Sequence, residues 1–117
     1  MRTKLIAIGL GVLGLIGCDS MPACDLSAVA SVTVSVVDSG GTPVAPDSVV
    51  YTVDGGFEAS CESLGGDNSE YVCGWEVDGV FEIIVTTGSG SYTESVTVSL
   101  TPDGCHVQGE FIDVVVD

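Results

Sequence analysis

The segments "FEASCES" (residues 57–63) and "EYVCGWEV" (residues 70–77) decide how this chain folds. Setting Cys61 opposite Cys73 puts Glu62 across from Val72, Ser63 across from Tyr71 and Leu64 across from Glu70, with "GGDNS" as the loop. In that register Phe57, Ala59 and Cys61 share a face with Tyr71, Cys73 and Trp75. Glu58, Ser60, Glu62 and Glu76 point the other way, together with Val72. Side chains alternate along a strand with a period of two, so a slip of one residue would mix the apolar and acidic faces. The register therefore predicts a hairpin closed by a Cys61–Cys73 disulfide.

The same alternation continues on either side. "SVTVSVV" (residues 31–37) puts Val32, Val34 and Val36 on one face and Ser31, Thr33 and Ser35 on the other, the pattern of a half-buried strand. "SVVYTV" (residues 48–53) groups Val49, Tyr51 and Val53, and "VFEIIVTT" (residues 80–87) turns Phe81, Ile83 and Val85 inward. "YTESVTVSL" (residues 92–100) aligns Val96, Val98 and Leu100, and "EFIDVVV" (residues 110–116) aligns Ile112, Val114 and Val116. Turn formers separate these runs at "DSGGTPVAPD", "DGG", "EVDG", "GSGS" and "TPDG", and the two prolines of the first exclude a central strand there. No useful stretch has the 3.6-residue apolar period of a helix. Seven short strands with turns between them predict a β-sandwich over residues 28–117.

The N-terminus is built differently. Arg2 and Lys4 precede an apolar run of 12 residues, Leu5 to Ile16. As a helix it would reach about 18 Å, short of the ~30 Å hydrocarbon core of a bilayer. A positive start followed by a short apolar run is the layout of a secretory signal. Leu15-Ile16-Gly17-Cys18 resembles the lipobox of bacterial lipoproteins. The resemblance implies a diacylglyceryl group on the Cys18 thiol, with acyl chains such as palmitate, and cleavage between Gly17 and Cys18. An ordinary signal peptide that happens to precede a cysteine is the alternative. On the lipoprotein reading residues 1–17 are the signal peptide, 18–27 a lipidated tether and 28–117 the domain. Two acyl chains hold a protein stably, whereas one gives only marginal binding. The expected location is the cell envelope, lipid-anchored and facing the periplasm or the exterior. Asp19 after the lipidated cysteine resembles the inner-membrane retention signal of enteric bacteria, a rule other lineages do not follow.

Both basic residues, Arg2 and Lys4, leave with the signal, and all 17 acids lie at or beyond Asp19. A domain without Lys or Arg repels phosphate backbones, which excludes nucleic acid as a partner. It also repels anionic lipid, so the domain is expected to stand off the bilayer rather than lie on it. Such charge serves solubility outside the cell. The acids are scattered among valines, isoleucines and aromatics, so a packed core is expected rather than disorder.

Beyond Cys18 four cysteines remain, Cys24, Cys61, Cys73 and Cys105, which allow three pairings. The hairpin register selects Cys61–Cys73 and leaves Cys24–Cys105. Their spacings fit no zinc pattern, and the only imidazole is His106. Cys105 and His106 are neighbours, which on a strand would face opposite ways and share no proton, so a disulfide cysteine beside a surface imidazole is expected. There is no nucleophile elbow, no metalloprotease motif and no phosphate-cradling glycine loop, and no spacing singles out a pair of acids for glycoside hydrolysis. No enzymatic activity, cofactor or metal is expected. Calcium is the strongest ion alternative, through Asp67, Asn68 and Glu70 in one loop and Asp54 and Asp78 in other turns. Trp75, Tyr71 and Tyr92 could form a sugar platform, but the register puts Trp75 and Tyr71 on the core face.

From "SVTVSVVDSGGTPVAPDSVVYTVDGG" onward the chain resembles the carboxypeptidase regulatory-like domain, a transthyretin-like β-sandwich. The features are the strand ending at Asp38, then Gly41-Thr42-Pro43-Val44, the strand at Val49, and later "GVFEIIVTTGSGSYTESVTVSL". The "CGW" and "GCHV" cysteines resemble small extracellular versions of this module in lipoproteins. Asp47-Ser48 departs from the family, which usually has a small residue and alanine there. The resemblance implies an accessory, scaffolding or binding module without catalytic residues. Strand pattern and resemblance together imply an all-β, seven-stranded antiparallel Greek-key β-sandwich of transthyretin or immunoglobulin type. The expected function is a non-enzymatic structural or accessory lipoprotein with an envelope protein or glycan as partner. The alternative is a module binding carbohydrate, peptide or calcium through the turns at residues 54–56 and 65–70.

Overall fold

The alternating runs pair into two four-stranded sheets, in a computed structural model that describes residues 24–117. The signal peptide, Cys18 and the first part of the 18–27 tether lie outside the described residues. The strands are β1 (Ala30–Asp38), β2 (Ser48–Val53), β3 (Ala59–Ser60), β4 (Glu62–Ser63), β5 (Glu70–Trp75), β6 (Gly79–Thr87), β7 (Gly90–Val98) and β8 (Glu110–Val116), with no helix among the described residues. One sheet has the order β4-β5-β1-β8 and the other β3-β2-β6-β7.

The predicted inward faces make the core. Val32, Val34 and Val36 of β1, Val49 of β2, Phe81, Ile83 and Val85 of β6, Val98 of β7 and Val114 and Val116 of β8 are buried together. Tyr51, Val53, Val96 and Ile112 pack against them half-buried. Period-two alternation in strands lined on one face by β-branched residues is what closes a sandwich-like core. The hairpin register is the expected one, with Glu62 opposite Val72 and Ser63 opposite Tyr71. Both cysteine pairs stand at disulfide distance, Cys61 and Cys73 with Cα atoms 4.4 Å apart and Cys24 and Cys105 5.3 Å apart.

Several expectations are corrected. The described residues form eight strands, not seven, because the run 57–63 does not stay in one sheet. Ala59 and Ser60 pair with β2, then the chain passes through Cys61 and pairs with β5 in the other sheet. A strand that changes sheets at a corner cannot keep one face buried, so Phe57 and Ala59 are exposed. The pairing is not wholly antiparallel, since β8 runs parallel to β1, Thr33 aligned with Phe111 and Val37 with Val115.

Trp75, expected in the core, is 46% exposed, and its indole N–H donates to Glu62 Oε1 at 3.1 Å. The cause is Gly74, whose φ of +83° lies in the left-handed region and interrupts the alternation. A Cβ there would come within 3.2 Å of the Phe81 ring, so the strand can pass over the core at that point only as glycine. Val72 keeps its expected face, opposite Glu62 and Thr33, but is buried there, outside the core cluster. Leu100 is exposed, because β7 ends at Val98 and only an isolated bridge joins Leu100 to Val107.

Candidate functional site

The densest polar arrangement is built around the one histidine. "TPDGC" folds into a turn in which Thr101 Oγ1 and the Cys105 N–H both donate to Asp103 Oδ1, at 2.6 and 3.0 Å, and the Gly104 N–H donates to Thr101 O. The Thr101 N–H donates to His106 O at 2.7 Å, which fixes His106 just past the turn. From the other side comes Glu76, held at a φ of +56° between β5 and β6. From a third comes Asp25, next to Cys24 and tied to this corner by the Cys24–Cys105 bond.

These three side chains form a clamp. His106 Nδ1 faces Glu76 Oε2, and His106 Nε2 lies 2.9 Å from Asp25 Oδ1. Glu76 also accepts the Val107 N–H on Oε1 at 3.0 Å and the Val29 N–H on Oε2 at 3.3 Å. One carboxylate thus joins the N-terminal segment, the β5–β6 turn and the segment before β8. Each ring nitrogen faces a carboxylate oxygen, so only the imidazolium, with two N–H donors, satisfies both. The hydrogen bond to Glu76 accordingly raises the His106 pKa above its ordinary value, with both carboxylates adding charge attraction. The bond to His106 lowers that of Glu76, and the bond from Thr101 lowers that of Asp103. His106 is 18% exposed, a correction to the surface imidazole expected from the sequence.

Chemically the arrangement holds; it does not activate. Both ring nitrogens are engaged by carboxylates, and the neighbouring thiol of Cys105 is in a disulfide. Ser31, whose hydroxyl is buried, donates to Val77 O at 2.8 Å and accepts the Val77 N–H, so it stitches β1 to the β5–β6 turn.

Four of the side chains considered for calcium accept hydrogen bonds from the protein itself. Asp67 Oδ1 accepts the Ser69 N–H and hydroxyl, Asn68 Oδ1 accepts the Ser63 hydroxyl, and Glu70 accepts the Ser35 hydroxyl at 3.3 Å. Asp54 Oδ1 accepts the Val80 N–H at 2.9 Å. Among the described residues no three His, Cys, Asp or Glu side chains are grouped to hold a metal ion. The aromatics are dispersed: Tyr71 packs on the core, Trp75 bonds to Glu62, and the Tyr92 hydroxyl accepts the Asp117 N–H at 3.1 Å. Compared with models of protein families, curated proteins and solved structures, the chain matches none.

The clamp gives stability a pH dependence of known sign. His106 is raised, so its contribution is complete below the unfolded value of 6.5 and is lost as pH rises through the higher folded value. Glu76 is lowered, so its contribution is complete above 4.5 and is lost as pH falls through the lower folded value. In thermal melts the gap between wild type and His106→Gln should be widest at about pH 5.5 and narrow as pH rises past the ordinary histidine range. A gap that widened toward alkaline pH would mean that the ring is held neutral.

Proposed function

We infer that the chain is a bacterial lipoprotein without enzymatic activity, anchored through a lipid on Cys18, whose β-domain is a structural or accessory module of the cell envelope. The observation that carries this reading is the cysteine arrangement. Of five cysteines, the four in the described domain stand in two disulfide-distance pairs, as suits an oxidising compartment. The fifth is Cys18, which follows a lipobox-like Leu15-Ile16-Gly17 behind a positively charged, apolar start.

The site described above fits this role mechanically. Cys24 lies six residues after Cys18, a reach of about 20 Å at full extension. Its disulfide, and Asp25 on His106, fasten the tether to the domain at one corner, so the β-domain would be held by a short leash without lying on the membrane. With no Lys or Arg in residues 24–117, it would be repelled by anionic headgroups and by nucleic acid. A Greek-key, transthyretin-like descent is part of this proposal. It is supported by a strand order in which β2 neighbours β6 and β1 neighbours β8, pairing elements far apart along the chain.

Cys18→Ser tests the anchor. Incorporation of labelled palmitate and sedimentation with membranes should both be lost, while the domain disulfides still form. A variant that stays with the membrane fraction as before would overturn the assignment.

A further inference from the structure

The two lateral sides of the sandwich differ. On one, β3 and β4 are consecutive stretches of one strand that wraps the corner through Cys61. On the other, β7 and β8 each end a sheet, so one row of backbone N–H and C=O groups on each has no strand partner among the described residues. The β7 edge is guarded. Glu94 lies opposite Ile83, in the core-facing register yet exposed at the rim, and a charge at such an edge position discourages a further strand. The β8 edge has no such guard, since from Phe111 to Val116 the sole charge is Asp113, on the outer face.

That outer face is unusual for an edge. Phe111, Asp113 and Val115 align with Thr33, Ser35 and Val37 of β1. Phe111 is 81% exposed and Val115 54%, flanking the carboxylate of Asp113. Glu62 and Glu70 lie on the same face, opposite Val72 and Ser35. A strand added beside β8 would place three alternate side chains along Phe111, Asp113 and Val115, and the complementary pattern is apolar, basic, apolar.

We propose that the free edge of β8 accepts an extended segment of a partner protein, carrying a lysine or arginine beside Asp113 and apolar residues beside Phe111 and Val115. Charge decides between this occupant and a second copy of the chain. Residues 24–117 contain no Lys or Arg to supply the basic position. Two β8 strands paired antiparallel with Phe111 against Val115 would set Asp113 opposite its own counterpart, and like charges directly opposed are destabilising. The proposal does not depend on the lipid anchor.

The test uses the full-length chain and two synthetic peptides, acetyl-Thr-Phe-Thr-Arg-Thr-Val-Thr-amide and the same peptide with Asp in place of Arg. Amide hydrogen exchange should slow within Glu110–Val116 for the arginine peptide, which should bind at least about fivefold more tightly than its acidic counterpart. Asp113→Lys should reverse that preference, and Phe111→Ser should weaken the arginine peptide without reversing it. Equal binding of both peptides, absence of binding, or protection spread over the acidic turns at Asp54, Asp67 and Asp78 would overturn the proposal. So would self-association that protects β8 in the absence of peptide.

Discussion

Phe81→Ala is expected to destabilise the domain by about 3–5 kcal/mol, from the lost transfer of a buried aromatic plus the cavity it leaves. Phe81 is the largest fully buried side chain. Its ring stacks on Tyr51 at 5.5 Å and lies beneath the backbone at Gly74. Neither wall can close the gap easily. Tyr51 belongs to β2, paired along its length with β6, and Gly74 has no side chain to move inward. Against a typical stability of about 5–15 kcal/mol such a loss is large. Urea titrations with both disulfides intact should show a much lower midpoint at unchanged slope, and Phe81→Leu, which keeps most of the volume, should lose less than half as much. A loss below about 1 kcal/mol for the alanine variant would mean that the core relaxes around this position.

The position of Phe81 was legible in the sequence because strand parity needs only neighbours two residues apart. The same holds for Val32, Val34 and Val36 and for the hairpin register, where two cysteines and three acids had to sort to opposite faces at once. What escaped that logic involves a second element or a local break in parity. The crossing between sheets at Cys61 depends on where β2 lies, and the parallel pairing of β8 on β1 joins strands at opposite ends of the domain. Trp75 turns outward because Gly74 is left-handed, which alternation cannot register.

The clamp was missed for the same reason, with His106 and Glu76 standing 30 residues apart. Composition did hold a signal. In a domain without Lys or Arg, the only imidazole is the only side chain able to carry positive charge, and carboxylates are its natural neighbours. Which two carboxylates would be chosen required the turn that fixes His106 and the left-handed backbone at Glu76.

Replacing Cys24 and Cys105 together with serine should cost more than replacing Cys61 and Cys73. The two bonds close loops of very different size, with sequence separations of 81 and 12. On the chain-entropy account the long loop contributes up to about 4.5 kcal/mol and the short one about 3. Two local effects act in the same direction. Asp25 follows Cys24 and His106 follows Cys105, so breaking the long-range bond also loosens the Asp25–His106 pair. The short-loop variant still keeps its hairpin, which is paired independently through Glu62–Val72 and Ser63–Tyr71. Denaturation of the double variants without reductant should therefore rank Cys24/Cys105 below Cys61/Cys73. Hydrogen exchange should localise the first loss at the Val29 amide, bonded to Glu76 in the same corner. If the short-loop variant proved the weaker, native-state packing around buried Cys73, rather than restriction of the unfolded chain, would be the main contribution of these bonds.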